Sequence, residues 1–156
     1  MAKKSIDKSI SISNRKARFE YELLEVFTAG IQLQGTEIKS LRTGNANLAE
    51  AYCYVQQSEV WITGMYIAEY QYGSYMNHEP KRLRKLLLNK KEINKISSAL
   101  QNIGITLVPL KLYISDKGWA KIEIALAKGK KLHDKREDLK QKDDKRQIDR
   151  ALKNFK

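Results

Sequence analysis

The sequence has one cysteine, two histidines and two prolines in 156 residues, and it has no long run of apolar residues. The single cysteine, Cys53, excludes a disulfide within the chain and is typical of a reducing compartment. No segment approaches the length of a transmembrane helix, and the N-terminus lacks the apolar core of a signal peptide. We therefore predict a cytoplasmic protein. Because Cys53 falls in the alternating run AEAYCYVQQ, we expect it to be a packed strand residue.

Residues of the kind that form catalytic or metal centres are also scarce. The two histidines, His78 and His133, lie far apart, and neither has a second histidine or a cysteine at metal-ligand spacing. Residues 128–131 (KGKK) lack the first glycine and the hydroxyl residue of a phosphate-binding loop. No serine or cysteine stands in a nucleophile-elbow pattern. We therefore predict no enzyme, no bound metal and no cofactor.

Positive charge is what the sequence has in excess. There are 30 lysines and arginines against 18 acidic residues, which gives a net charge of +12. Half of this excess falls in residues 127–156 and half in the rest of the chain. With an isoelectric point near 9.7, this balance indicates a polyanionic partner. Nucleic acid is the first expectation, and an anionic membrane or an acidic protein is the alternative.

Residues 128–156 form a basic tail with few apolar side chains. The tail has too little apolar surface to offset the entropy of an ordered chain, so we expect it to be disordered when free. It nevertheless lacks proline, and pairs such as Asp138 and Lys142 stand at helical spacing. We predict that the tail becomes helical on a polyanionic partner, that residues 1–12 are flexible, and that residues 13–127 form the folded domain.

The folded domain has the alternating pattern of short β-strands. A break at residues 29–30 is expected, followed by an alternating segment at 31–34. Two hairpins are expected, one across residues 57–58 and one across residues 115–118. The predicted strands lie at residues 19–26, 49–56, 59–66, 107–114 and 119–126.

Three helices are predicted between these strands. Residues 35–42 change to a helical period, with Thr36 as a candidate cap. A second helix is predicted at residues 81–88, directly after a proline. A third begins with a capping box at residues 89–92 and stops at Gly104. Its apolar stripe consists of Ile93, Ile96, Leu100 and Ile103.

Antiparallel strands with helices inserted between them predict a mainly β, α+β fold. We expect a small, partly open β-barrel flanked by about three helices. The oligonucleotide-binding (OB) type of barrel is one candidate, and the pattern alone does not fix the topology.

Basic and aromatic side chains give the first indications of a binding surface. Residues 15–18 (RKAR) are basic, and Lys39 and Arg42 stand about one helical turn apart, where they are placed to contact phosphates. A tyrosine-rich connection contains Tyr66, Tyr70, Tyr72 and Tyr75. Exposed tyrosines stack on unpaired bases, but tyrosines in strands and loops more often fill a barrel, and filling is the prediction here.

Four motifs follow one another along the chain. They are NRKAR at residues 14–18 with Tyr21, FTAGI-x-L-x-GTEIKSLR at 27–42, EPKR-x-RKLLLN at 79–89, and AKGKK-x-HDKR at 127–136. In this order they closely resemble the SmpB (small protein B) family, the protein partners of transfer-messenger RNA (tmRNA). The resemblance covers nearly the whole chain and is far more specific than a shared fold.

The resemblance implies an OB-type barrel that binds the tRNA-like end of tmRNA. It implies that the chain delivers this RNA to ribosomes stalled on messages without a stop codon, in the process called trans-translation. The tail is then expected to enter the empty messenger channel and to fold as a helix near the decoding centre, against 16S ribosomal RNA. We expect a monomer, one copy per tmRNA.

The same resemblance assigns roles to individual residues. It implies that the surface for the tRNA-like domain is formed or supported by Asn14, Arg15, Lys16, Tyr21, Thr28, Lys39, Arg42, Leu87, Lys128, Lys130 and Lys131. It implies contacts in the decoding centre and messenger channel for His133, Asp134, Lys135, Arg136, Leu139, Lys140, Ile148, Arg150 and Leu152. Read directly from the sequence, Leu87 is a core leucine. We expect Leu139, Ile148, Leu152 and Phe155 to form a sparse apolar edge of the bound helix.

Two departures from the family pattern affect these assignments. Thr28 stands where many members carry glutamate, and Asp144 stands where some carry tryptophan. We therefore expect the tail to hold the channel more by charge than by apolar contact. Two other functions stay open. One is a ribosomal-type or chaperone RNA-binding protein of the same barrel class. The other is an RNA-cleaving enzyme, which needs a metal or a His/Lys pair in the barrel groove.

Overall fold

The computed structural model describes residues 10–130 and 132–154 of the chain. These residues form nine strands, four α-helices and one short 3-10 helix, Ser74–Met76. The strands are β1 (Ser11–Ser13), β2 (Tyr21–Ile31), β3 (Ala46–Asn47), β4 (Tyr52–Gln56), β5 (Glu59–Thr63), β6 (Tyr66–Ile67), β7 (Arg84–Leu87), β8 (Ile105–Ile114) and β9 (Ala120–Gly129). The helices are α1 (Arg15–Glu20), α2 (Gly35–Arg42), α3 (Lys90–Leu100) and α4 (Leu132–Asn154).

Six strands of the main sheet close into an antiparallel barrel. The order of neighbours is β1-β8-β4-β5-β7-β2-β9, and β9 also pairs with β8, so the ring closes. The β2–β9 and β8–β9 pairings run along most of each strand. By contrast, β4 meets β8 at a single residue pair, Cys53 opposite Leu107. The predicted small, partly open barrel is confirmed, and the thin seam between β4 and β8 is where its ring is least closed.

Side chains that alternate along the strands fill the inside of the barrel. Ile62 of β5, Leu86 of β7 and Ile122 of β9 are buried, and Ile96 of α3 packs into the same cluster. Cys53 belongs to this core as expected, and burial raises the pKa of its thiol. A second, smaller cluster contains Ala17, Val108, Leu110, Ala125 and Ala127.

Several local predictions are confirmed by the backbone. The first predicted helix has the same bounds as α2 and is followed by Thr43 as its cap. The side chain of Asn89 accepts a hydrogen bond of 2.9 Å from the backbone N–H of Glu92, as a helix-capping residue does. Gln57 and Ser58 have φ values of 51° and 59°, which suit a tight two-residue hairpin turn between β4 and β5.

The helix predicted at residues 81–88 is wrong, because β7 lies there. Arg84 and Leu86 are buried, whereas Lys85 between them is half-buried and Leu87 after them is exposed, which is the period of two of a strand. The guanidinium of Arg84 is buried because its Nε donates to a Glu37 carboxylate oxygen at 2.7 Å. Judged from the local sequence alone, a run rich in arginine and leucine favours a helix. The distant carboxylate of Glu37 allows the same run to form a strand with a buried arginine.

The strand predicted at residues 19–26 corresponds to β2, which begins later and extends further. Residues 15–20 form α1, and β2 continues through the break predicted at residues 29–30. Gly30 pairs with Leu87 on one side and Lys121 on the other, so it lies inside the sheet. A Cβ atom at this position would lie 3.3 Å from the Cβ of Leu87, which shows that the glycine permits close approach.

Two side chains do not have the roles in helices that the sequence predicts. Thr36 does not cap α2, which begins after Gln34 without a side-chain cap; instead its Oγ1 lies 2.9 Å from Nδ1 of His78. Ile103 lies beyond the end of α3 and is fully exposed, so it is not part of the apolar stripe.

The tail forms one helix, α4, of 23 residues. The tail is therefore helical in the structure without a partner, whereas its disorder when free, its helix on a bound partner and the domain boundaries stay predictions. Few contacts join α4 to the barrel: Lys130 pairs with Asp138, and Nζ of Lys142 lies 5.8 Å from the ring centre of Phe19. Of the predicted flexible residues 1–12, residues 1–9 lie outside the described residues, as do Lys131 and Phe155, whereas Ser11 and Ile12 belong to strand β1.

Candidate RNA-binding surface

Asn14 positions the basic helix α1 on the barrel. Its Oδ1 accepts a hydrogen bond of 3.2 Å from Ala17 N, which caps the helix. Its Nδ2 donates to the carbonyl oxygens of Leu48 at 3.2 Å and Pro109 at 3.0 Å. Asn14 is buried, so its geometry is that of a support for the neighbouring exposed cations Arg15 and Lys16.

A groove of about 210 Å³ runs beside α1, and we call it the α1 groove. It brings together three of the predicted residues, Asn14, Lys16 and Tyr21. Tyr52 of β4 lines the opposite wall and is exposed. Glu20 and Glu50 also line the groove, so Lys16 is a single cation beside two carboxylates. The aromatic rings suit contact with a base or sugar more than the groove as a whole suits a phosphate.

A larger groove of about 490 Å³ lies beside α2, and we call it the α2 groove. Arg42 of α2, Leu87 of β7 and Lys121 of β9 line it, together with apolar side chains such as Ile38. Two cations around a mainly apolar floor are an arrangement that accepts a base on the floor and its phosphates on the rim.

Leu87 is not a core leucine, as the direct reading of the sequence predicts, because it lies on the outer face of β7 and is 47% exposed. Trp119, which the sequence reading treated only as a strand residue, lines the same groove and is 68% exposed. Its position directly after Gly118 in the hairpin turn was a usable signal, since a large aromatic residue at a turn has few neighbours to bury it.

Lys39 and Thr28 line neither groove. Lys39 is exposed on α2, and its Nζ lies 5.3 Å from the ring centre of Tyr70. Thr28 is exposed on β2, directly opposite Glu123 of β9. The carboxylate of Glu123 therefore lies beside Thr28, where many family members are expected to carry glutamate.

The end of β9 leads the chain past α1 towards the tail. Lys128 is exposed there, as a phosphate contact requires. Lys130 is bound within the chain: its backbone N–H donates to Glu20 O at 2.9 Å and its Nζ pairs with the carboxylate of Asp138. Lys130 must exchange this carboxylate for a phosphate before it contacts RNA.

The tail helix presents its charges to solvent. Arg136, Lys140 and Arg150 are exposed, and Lys135 is half-buried. The side chains of His133 and Asp134 lie outside the described residues, although both positions are in α4. The described cations are therefore available to phosphates along most of the helix.

The predicted apolar edge of the tail does not include Leu139. Nine residues separate it from Ile148 in one continuous helix. At about 100° per residue, which follows from 3.6 residues per turn, they face opposite sides. Ile148 and Leu152 are four apart and share a face, and both are exposed.

Among the described residues, no group of three or more potential metal ligands is found. Among the same residues, no helix is long and apolar enough to cross a membrane. His78 is buried, with its Nε2 donating to Ile67 O at 2.9 Å.

A small antiparallel barrel with a cation-rimmed groove beside α2, a basic helix α1 and a basic terminal helix is a nucleic-acid-binding module of the OB-like class. The family model described as SmpB protein matches residues 11–154 of this chain. The chain therefore belongs to the SmpB family.

Comparisons with individual proteins agree with this assignment. An SsrA-binding protein of Phocaeicola vulgatus is 57% identical over 92% of this chain and 96% of its own length. An SsrA-binding protein of Trichormus variabilis is 51% identical over 99% of this chain and 100% of its own length. A solved structure described as "tmRNA-SmpB: a journey to the center of the bacterial ribosome" contains a chain with a TM-score of 0.68 and 44% identity, over 80% of this chain and 87% of that chain.

Proposed function

We propose that this chain binds tmRNA and takes it to stalled ribosomes for trans-translation. The observation that carries the proposal is the extent of the family match, which includes both the barrel and the tail helix. A general RNA-binding barrel shares no such tail. The two SsrA-binding proteins compared above are 57% and 51% identical to this chain over 96% and 100% of their own length.

Within this function, we propose that the barrel binds the tRNA-like domain of tmRNA and that α4 binds ribosomal RNA. The α2 groove supplies Arg42, Leu87 and Trp119, and the α1 groove supplies Lys16 and Tyr21. The exposed cations of α4 contact the phosphates that line an empty messenger channel. The described contacts between α4 and the rest of the chain are those of Asp138 with Lys130 and of Lys142 with Phe19. Because these contacts are few, the barrel and α4 are free to contact different RNAs.

We further propose that the chain acts as an adaptor and not as an enzyme, as a monomer with one copy per tmRNA, in the cytoplasm. Binding to two RNAs is enough to account for the charge distribution over barrel and tail. The chemistry of tagging then belongs to the ribosome and the RNA. A magnesium-dependent RNA-cleavage assay tests this part, with no cleavage expected.

Competition between two folded RNAs tests the binding step. The full chain is mixed near physiological salt with labelled tRNA-like domain of tmRNA, and unlabelled ordinary tRNA is added. We expect the labelled tRNA-like domain to stay bound to the chain when unlabelled tRNA is in excess. This preference should persist when the salt concentration is raised moderately. Equal binding to the two RNAs, with a steep loss in salt, would instead indicate binding by charge alone.

Arg42→Ala is expected to weaken binding to the tRNA-like domain by about tenfold or more, because a charge-assisted hydrogen bond contributes about 1.5–3 kcal/mol. The slope of log affinity against log salt concentration should fall by about one, the value for one lost phosphate contact. Fluorescence anisotropy at several salt concentrations measures both quantities.

Lys91→Ala is the matched control for Arg42→Ala. It removes one exposed cation from α3, away from the residues that line the two grooves. We expect it to change the affinity by less than about threefold, as a distant surface charge does at physiological salt. Equal losses in the two variants would show that only net charge matters and that the α2 groove is not a binding site.

A further inference from the structure

The connection between β6 and β7 displays apolar side chains that none of the described residues covers. We call residues 70–76 the tyrosine loop. Tyr72 is 77% exposed, Tyr75 is 90% exposed and Met76 is 72% exposed. The prediction that these tyrosines fill the barrel is therefore wrong for Tyr72 and Tyr75. Several large apolar side chains exposed side by side are typical of an interaction site.

The tyrosine loop is closed by hydrogen bonds from one side chain. Oδ1 of Asn77 accepts from Tyr70 N at 3.1 Å, and its Nδ2 donates to Tyr70 O at 2.7 Å. The N–H of Gly73 donates to the same carbonyl at 2.9 Å. A Cβ atom at Gly73 would lie 2.7 Å from Nδ2 of Asn77, so the closure depends on a glycine here. Asn77 and Gly73 thus tie the two ends of the tyrosine loop to Tyr70.

A second set of contacts fixes the loop to α2. His78 follows the loop and is buried, with its Nε2 donating to Ile67 O and its Nδ1 accepting from the hydroxyl of Thr36, both at 2.9 Å. Rings held on a rigid frame lose little conformational entropy on binding. The frame therefore favours a role in recognition over a loop that is exposed by chance.

Charge and position indicate what the rings contact. Lys39 of α2 lies over Tyr70, whose ring meets Tyr72 edge to face with 5.7 Å between ring centres. Lys39 is one helical turn from Arg42, which lines the α2 groove, so α2 links the loop to the proposed RNA surface. Glu69, directly before the tyrosine loop, is exposed, and its negative charge disfavours a phosphate nearby. The loop is therefore suited to the uncharged faces of bases.

We propose that the tyrosine loop is a further RNA contact, in which Tyr72 and Tyr75 stack on unpaired bases of the tRNA-like domain of tmRNA. This inference rests on the proposed function, because it takes the same RNA as its partner. Aromatic side chains among cations bind unpaired bases in this way without a strong dependence on base identity. Lys39 neutralises the backbone of the bound strand beside Tyr70.

The test compares Tyr72→Ala/Tyr75→Ala with Tyr72→Phe/Tyr75→Phe. We expect the alanine variant to lose at least about tenfold in affinity for the tRNA-like domain, and the phenylalanine variant to stay within about threefold, since stacking needs the ring and not the hydroxyl. The salt slope should not change in either variant, because no charge is lost. Chemical probing of the RNA should show at least one unpaired base that the wild-type chain protects and the alanine variant leaves reactive.

Ile103→Ala is the control for loss of an exposed apolar side chain, because Ile103 is fully exposed outside the loop. It should bind as the wild type does. If the alanine variant binds and protects the RNA like the wild type, the stacking contact does not exist. Equal loss in the phenylalanine variant also overturns it, because the hydroxyl then carries the contact. A defect only in tagging, with RNA binding intact, places the loop against the ribosome and contradicts the proposal.

The same experiment separates this inference from the proposed function. When the wild type selects the tRNA-like domain and the alanine variant selects it equally well, only the stacking contact is refuted. When the wild type itself does not distinguish this RNA from ordinary tRNA, the proposed function is refuted, and the stacking contact with it.

Discussion

A chain that ends at Lys131 is expected to bind the tRNA-like domain selectively and to lose about a hundredfold or more of its activity in peptide tagging. The magnitude corresponds to two lost charge-assisted contacts at about 1.5 kcal/mol each. The barrel core does not include the tail, whose described contacts with it are those of Lys130 with Asp138 and Lys142 with Phe19. Removing the tail therefore leaves the barrel folded and its grooves intact.

Binding and tagging are measured on the same preparations. Residues 132–156 carry a net charge of +3, so affinity for any RNA falls slightly while the preference for the tRNA-like domain remains. Two variants of the full chain refine the result. Lys135→Ala/Arg136→Ala should reduce tagging strongly and Leu152→Ala little, because the exposed tail is richer in cations than in apolar residues. The opposite ranking would show that apolar contact dominates, and full tagging by the shortened chain would rule out a role for the tail.

Glu37→Ala is expected to lower the free energy of unfolding by about 3–5 kcal/mol, the cost of breaking a buried ion pair by removing one partner. The carboxylate of Glu37 is fully buried and accepts from Nε of Arg82 and Nε of Arg84, each at 2.7 Å. The side chain of Arg84 is itself fully buried. Burial lowers the pKa of Arg84, and its bond to Glu37 opposes this effect. Without the carboxylate, a guanidinium charge remains buried with only carbonyl partners.

Glu25→Ala is the matched control, because Glu25 pairs with Lys95 at 2.6 Å where both side chains are largely exposed. An exposed pair contributes about 0–1 kcal/mol, so the variant should unfold in urea almost as the wild type does. Equal losses of stability in the two variants would mean that the Glu37 pair contributes no more than a surface pair. Because Glu37 joins α2 to β7, its loss should also weaken RNA binding at the α2 groove between them.

Local patterns predicted much of the fold. The capping residue Asn89 and the helical period of α2 are properties of short segments, and so is the two-residue turn at Gln57 and Ser58. Such signals do not depend on contacts with distant parts of the chain. For that reason they could be read from the sequence and agree with the structure.

The elements that were predicted wrongly depend on distant partners. Arg84 has its acidic partner 47 residues earlier, and this partner allows an arginine to point into the protein from a strand. Gly30 lies between two strands that come much later in the chain, so it continues a strand where a break was predicted. Periodicity describes one segment at a time and carries no information about either pairing.

The candidate site also divides into residues that local motifs predicted and residues whose role depends on distant parts of the chain. The motifs of the resemblance pointed to Arg42 and Leu87, and the structure places them in one groove. The turn before Trp119 indicates that its ring is exposed, but its place in the groove depends on the approach of α2 and β7 to the hairpin turn. The exposure of Tyr72 and Tyr75 likewise depends on how Asn77 and His78 hold the loop.

The most direct measurement of the central claim is reconstituted peptide tagging. Ribosomes stalled on a message without a stop codon are supplied with charged tmRNA, with and without the full chain near physiological salt. We expect tagged peptide to form in the presence of the chain and to fall to background in its absence. At limiting concentration, Arg42→Ala should reduce tagging by about tenfold, in line with its weaker RNA binding. Tagging that does not depend on the chain, although the chain is folded and binds RNA, would contradict its function as the adaptor between tmRNA and the stalled ribosome.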